Sequence, residues 1–272
     1  MDSENKKAGI NKLGFETYSN TDIVSKYYSG DSLNCAEEAA LYDIRDKVRG
    51  KKILDIGVGT GRTLPCLSMI SDDYVAIDYS QAMVDECKRR YPVANIICGD
   101  ARNLSMYGDS QFDLCMFSAN GIDLVSHDDR LLILAEIYRV LNKGGYFIFS
   151  THNRECHAFN GYVSVLSPLY ALNPCRPMTL NPFELGKRLT DLYKGTVNHL
   201  RNSKFSVHTD EYSIINDKEQ LYSCMMYYIP MEMQIEQLRN IGFNGTVRAY
   251  GRYGQVIKDS PTDTWIYYLV QK

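Results

Sequence analysis

LDIGVGTGR, running from Leu54 to Arg62, is the stretch that decides how this chain folds. It closes an apolar run, KKILDI at 51–56, that has the make-up of a buried strand, and it sets glycines at 57, 59 and 61. Glycine has no Cβ, so such a loop can turn tightly and let a ligand lie directly against the backbone. The spacing is G-x-G-x-G, not the G-x-G-x-x-G that fits a dinucleotide pyrophosphate. Asp55, two residues before the first glycine, would sit badly beside a phosphate and suits a ligand with a cationic amino group. One glycine loop is a weak signal, but acids at the ends of the next two strands strengthen it. YVAI at 74–77 ends on Asp78, where a carboxylate can accept hydrogen bonds from both hydroxyls of a ribose. Residues 95–98 end on Gly99-Asp100, where a carboxylate can take an adenine amino group.

Outward from this loop, strands and helices alternate. Ser80 can cap a helix at 81–90 that Pro92 terminates. Residues 112–117 read as a fourth strand, and Asp128 or Asp129 as the cap of a helix through Leu141, with Leu131, Leu134, Ile137, Tyr138 and Leu141 as its apolar stripe. Gly144-Gly145 turns the chain into a fifth strand at 146–150. This order predicts an α/β fold: a doubly wound, mostly parallel, seven-stranded, Rossmann-like sheet covered on both faces. Such sheets bind ligands beyond the carboxyl ends of their strands, which points to the loops after residues 56, 77, 98, 117 and 150.

At the front, 1–17 reads as a mobile leader, 20–28 as a short amphipathic helix and 35–48 as a longer one. The alternation fails after Thr151. Residues 153–230 read as an inserted lid, with one helical stretch around 182–199 and a long β-hairpin in which VHTDEYSII and QLYSCMMYYI flank NDKE. A last helix at 231–241 stops at Gly242, and 246–251 and 265–271 supply the final two strands. The predicted organisation is a leader and lid helix (1–34), a cofactor-binding core (35–152), an inserted substrate region (153–230) and the end of the core (231–272).

At 272 residues, with 44% hydrophobic and 23% charged side chains, the chain can bury a sizeable core. A net charge of −3 provides no basic field for nucleic acid. There is no run of 18 apolar residues and no signal-peptide core in MDSENKKAGINKLGFE, so the expectation is a cytoplasmic protein without a membrane partner, monomer or homodimer. Eight scattered cysteines, with no Cys-x-x-Cys and no zinc spacing, read as reduced thiols rather than disulfides or metal ligands. Tyrosine outnumbers tryptophan 21 to 1, which fits either a wet, amphipathic pocket or simple composition bias.

In combination, LDIGVGTGR, VAIDYS, CGDARNLSMYGDSQFDLCMF and EIYRVLNKGGYFIFST, together covering about residues 50–151, resemble the class I S-adenosylmethionine-dependent methyltransferases. The resemblance is to the small-molecule branch with a methyltransferase 11/25-type core, and YYIPMEMQIEQLRNIGF is similar to that family's late helix. It implies S-adenosylmethionine as cofactor, S-adenosylhomocysteine as product, and in-line methyl transfer to an N or O nucleophile of a small-molecule acceptor. Gly57, Gly59 and Gly61 would pass under the methionine end, with Asp55 orienting the amino group through water or backbone and Arg62 beside it. Asp78 would hold the ribose, and Gly99, Asp100, Ala101 and Arg102 would frame the adenine. Tyr79 and Met83 would pack on the adenine faces, while Ser118, Ala119 and Asn120 line the sulfonium side. Tyr27 or Tyr28 would close the pocket from the lid helix, or simply pack within it.

On the acceptor side His152, directly after the fifth strand, is the candidate general base and Asn153 a candidate substrate contact; alternatively the two only cap the chain as it leaves the sheet. Arg154 and Arg176 could pair with an acidic acceptor group or be plain surface residues, and His127 reads as a solvent or cap residue. Neighbours in a strand point to opposite faces, so at most one of Tyr227 and Tyr228 can face an acceptor. The rival readings are an RNA or protein methyltransferase and a non-catalytic regulatory module that binds the same cofactor. The first would need a basic rim, for which the insertion offers only Lys187, Arg188, Lys194, Arg201 and Lys204. The second is hard to square with an intact glycine loop and both acids. A carbon nucleophile also remains open.

Overall fold

The computed structural model describes residues 2–25, 30–162, 182–258 and 262–272. Tyr27, Tyr28 and Arg176 lie outside them. Five parallel strands form the frame: β1 (Ile53–Ile56), β2 (Tyr74–Asp78), β3 (Ile96–Cys98), β4 (Phe112–Phe117) and β5 (Leu141–Asn153), in the order β3-β2-β1-β4-β5. β1 and β2 are buried at every position, which is why they read as continuous apolar runs rather than alternating ones. The two last strands predicted from sequence are present at Val247–Tyr250 and Trp265–Gln271, and the second of them pairs antiparallel with both β5 and the first.

Successive side chains leave opposite faces of the sheet. Leu54, Ile56, Cys115, Phe117, Phe147 and Phe149 pack against Ile133, Ile137 and Leu238 of the helices His127–Val140 and Met231–Ile241. Ile53, Leu114, Met116 and Ile148 face the other way, onto Ala36, Ala40, Val84 and Cys87 of Cys35–Tyr42 and Gln81–Arg90. The sheet is thus covered on both faces, as expected.

Several expectations need correction. The leader is a helix, Ser3–Tyr18, which buries Ile10, Gly14 and Thr17, a stripe one residue wide, too thin to register as amphipathic. Of the helix at 20–28, the turn Thr21–Val24 is present and 26–28 lie outside the described residues, while the one at 35–48 is broken into Cys35–Tyr42 and Arg45–Val48. Ser126, not Asp128 or Asp129, caps His127–Val140. The sheet holds eleven strands among the described residues, more than the seven predicted. Val256–Ile257 adds one edge, and the insertion adds three more, β6 (Val207–His208), β7 (Ser213–Ile215) and β8 (Met226–Ile229). β7 and β8 form the expected antiparallel pair, but residues 216–225 join them rather than a short NDKE turn.

β5 explains how the insertion attaches. Its first half pairs with β4 through Phe117↔Phe149; where β4 ends, β8 takes over the same strand in parallel, His152↔Tyr228 and Asn153↔Ile229. The insertion therefore continues the main sheet and roofs the carboxyl ends of its strands.

Candidate active site

Strand order reverses between β1 and β4, and there a cavity of about 800 Å³ lies between the glycine loop, the turn after β4, the end of β5 and the β7–β8 connection. Its size is near the top of the roughly 300–1,000 Å³ range of ligand pockets.

Gly57 and Gly59 line the cavity with φ of 64° and 55°. A Cβ on Gly57 would lie 2.7 Å from the Phe117 ring, so the close approach of loop and β4 requires glycine. Asp78 fastens this loop to β2: its Oδ2 accepts the Gly59 N–H and its Oδ1 the Ser80 N–H, both at 2.9 Å. Burial pushes the Asp78 carboxyl up to about 6 against those two donors. Tyr79 and Met83 line the same end, and Phe15 of the first helix packs edge-on to Tyr79 at 5.5 Å.

Two residues of the loop turn away. Gly61 does not line the cavity; a Cβ there would meet Tyr91 and Cys87, so this glycine seats the loop on the helix Gln81–Arg90. Asp55 is also behind the wall, its Oδ2 accepting from Thr63 Oγ1 at 2.5 Å and Tyr74 OH at 2.8 Å, with burial raising it to about 6. Its carboxylate braces the loop from behind rather than facing a ligand.

Arg62 does line the cavity and is held in a buried cluster that the sequence reading missed. Its guanidinium donates to both oxygens of Glu37, at 2.7 and 2.5 Å, and to the Ser32 carbonyl at 2.9 Å. Glu37 has no exposed surface and also accepts from Ser118 Oγ and from Tyr267 OH. Burial works against its ionisation, but Arg62 with the two hydroxyls holds it below the usual carboxylate range. The signal for Glu37 was local: Asn34 and Glu37 form a capping box at the start of Cys35–Tyr42.

After β4, Ser118, Ala119 and Asn120 line the cavity, and Ala119 and Asn120 are both left-handed, φ 51° and 58°. Tyr267 OH accepts the Ala119 backbone N–H and Ser150 Oγ that of Asn120. Asn120 Oδ1 is buried without a partner among the described residues.

The expected adenine frame is placed differently. Gly99, Asp100, Ala101 and Arg102 do not line the cavity. Arg102 folds back on Asp100 at 2.6 Å and reaches Asp129 at 2.9 Å, and Lys7 and Asn11 of the first helix bind the same Asp129.

His152 lines the same cavity. Its Nδ1 lies 2.7 Å from Asp123 Oδ2, which also accepts the His152 backbone N–H at 2.8 Å; Nε2 is 3.4 Å from Asn120 Nδ2. Burial disfavours its protonation, but Asp123 outweighs that, and the imidazole sits above its ordinary pKa. Asp123 had no sequence signal, since a turn residue (in the 3₁₀ turn Gly121–Leu124) meets His152 only through the tertiary fold. The roof adds Asp217, Glu219 and Tyr228, with Tyr228 OH on Asp217 Oδ2 at 2.7 Å.

Tyr227 points to the opposite face, where its OH meets His127 Nδ1 at 2.8 Å, so the tyrosine pair splits between the two faces. His127 is therefore not a solvent residue; it stacks on Tyr212 at 4.2 Å. Asn153 and Arg154 do not line the cavity. Asn153 Oδ1 accepts the Glu155 N–H and its Nδ2 donates to the Asp263 carbonyl; Arg154 binds the carbonyls of Thr209 and Asp210. Both are structural in this arrangement. Among the described residues no group of His, Cys, Asp and Glu could hold a metal ion, and no helix is long and apolar enough to cross a membrane.

Residues 53–145 match the family described as a methyltransferase domain. The demethylmenaquinone methyltransferase of Paenarthrobacter aurescens is 33% identical over 108 residues, 40% of this chain and 41% of that protein. The enzyme of the same name from Renibacterium salmoninarum is 31% identical over 132 residues, 47% of this chain and 54% of that protein. The matched part thus spans about half the length of these curated relatives. In fold, the chain is similar to 1,6-didemethyltoxoflavin-N1-methyltransferase of Burkholderia thailandensis, solved with bound 1,6-didemethyltoxoflavin and S-adenosylhomocysteine. That likeness has a TM-score of 0.57 at 12% identity, over 100% of this chain and 91% of that one. Sheet order and the glycine loop after β1 give the chain the fold of the solved methyltransferase it is similar to. The match to the methyltransferase-domain family is confined to residues 53–145.

Proposed function

We propose that this chain methylates an N or O nucleophile of a small molecule, with His152 as the base that removes the acceptor's proton. The observation that carries this reading is the shared cavity: the glycine loop, Asp78 and His152 all line it, with Asp123 behind the imidazole. The residues present fit S-adenosylmethionine. Gly57 and Gly59 offer bare backbone, Asp78 keeps acceptor capacity for a ribose, Tyr79 and Met83 offer packing for the adenine, and the unpartnered Asn120 Oδ1 lies on the sulfonium side. The bound cofactor supplies an electrophilic methyl group.

The chain's own work is then to align the nucleophile, exclude water and accept a proton. His152 is suited to the last task because Asp123 holds Nδ1, leaving Nε2 as the site that can receive a proton. The roof at 213–229, parallel to β5 through β8, leaves room for a small acceptor and supports a substrate-selecting role for the insertion. The relatives whose names specify demethylmenaquinone and 1,6-didemethyltoxoflavin support the same class of acceptor.

The test is His152→Ala, assayed by release of S-adenosylhomocysteine across a panel of hydroxyl, amine and carboxylate acceptors. We expect unchanged affinity for S-adenosylhomocysteine and a loss of transfer of about 10²–10⁴-fold. Full activity in the variant would remove His152 from the mechanism.

A further inference from the structure

Asp123 is fully buried and binds two side chains at once, the imidazole of His152 and the guanidinium of Arg130. Its Oδ2 serves His152, while its Oδ1 lies 2.6 Å from Arg130 Nη1 and accepts from Thr151 Oγ1 at 2.6 Å. Arg130 has no exposed surface either. Its remaining donors go to neutral acceptors: Gln234 Oε1 at 2.6 Å, Gln237 Oε1 at 3.2 Å, Thr151 Oγ1 at 3.1 Å and the Ile122 carbonyl at 3.3 Å. Among the described residues, Asp123 is thus the only anion this guanidinium binds.

A buried carboxylate needs a positive partner, and losing that partner leaves an uncompensated charge. Were His152 its only partner, Asp123 would hold it as imidazolium, which has two N–H donors and no lone pair for a substrate proton. Arginine stays charged at any pH at which proteins work.

We propose that Arg130 is a positioning residue for the base: by supplying the counter-charge of Asp123, it frees His152 to be a neutral imidazole with Nδ1 protonated and Nε2 open to the cavity. The inference rests on the reading of His152 as the base. The other titratable groups around the imidazole act against Arg130. Asp217 and Glu219, in the β7–β8 connection, favour the charged form, and the ring of Tyr228 on β8 lies 4.8 Å away. Lys218 is in the same connection and lines the cavity. Three carboxylates therefore pull towards imidazolium, and Arg130 is the fixed cation that satisfies the one nearest the ring.

The test is a pH titration of the full chain labelled with ¹⁵N-histidine, followed by NMR, with the His152 signals assigned by their loss in His152→Gln. In the wild type the neutral imidazole should carry its proton on Nδ1. Arg130→Met should raise the His152 midpoint by about 1–2 pH units, and Arg130→Lys should restore it. Should Arg130→Met not fold, Arg130→Gln removes the charge while keeping a donor for Asp123, and the same rise is expected. An unchanged or lowered midpoint in either folded neutral variant overturns the proposal, because a merely structural arginine would leave the titration where it was. The readout needs no acceptor, so a failure of His152 as the base would show separately, as transfer retained in His152→Ala.

Discussion

An ionised carboxylate has about four acceptor sites, and Asp78 gives two of them to the Gly59 and Ser80 N–H groups. The other two suit a pair of vicinal hydroxyls, provided the carboxylate is charged. Its folded pKa is raised to about 6, so protonation sets in as pH falls through that value and removes acceptor capacity. Affinity for S-adenosylhomocysteine should hold above that point and fall about fivefold from pH 6 to pH 5, measured by calorimetry. Flat affinity over that range would take Asp78 out of cofactor binding. At this scale the sequence was legible at Asp78, which ends β2, and at His152 near the end of β5, both of which line the cavity, but not at Asp100 after β3, which does not. At Asp55 the sequence did not show which way the carboxylate turns: its partners Thr63 and Tyr74 are supplied by other elements, and they draw it behind the loop. Glu37 and Asp123 were missed for the same reason, since their roles arise from side chains far along the chain.

The first helix illustrates how elements are misread. Its sequence offers few apolar residues, yet Ile10 is 2% exposed and packs with Ile214, Met225, Tyr227 and Ile229 of the β7–β8 region. The helix thus ties the front of the chain to the roof over the cavity. Ile10→Ala should cost about 2–3 kcal/mol, measured by urea unfolding, because the packed residues around it can close only part of the space left. A cost below about 0.5 kcal/mol would mean that the helix is not docked as described. β5 was underestimated in the other direction. Its continuation from Ser150 to Asn153 depends on β8 taking the edge that β4 leaves, a pairing between residues far apart in sequence that no local pattern announces.

For the molecule as a whole, alternating strands and helices were enough to place the sheet, its two covered faces and the end that binds ligand. That part was legible because parallel strands buried on both faces leave long apolar runs, and short connections leave few ways to join them. The insertion was not legible beyond its helix and its β7–β8 pair, because its strands are short and are fixed by the main sheet rather than by their own sequence. The cofactor reading joins both parts, since the cavity takes its floor from the core and its roof from the insertion. The measurement that tests it most directly is calorimetric titration of the chain with S-adenosylhomocysteine, beside Asp78→Ala. We predict micromolar binding in the wild type, about −8 kcal/mol, weakened at least tenfold in the variant. A folded wild-type chain that does not bind would contradict the account.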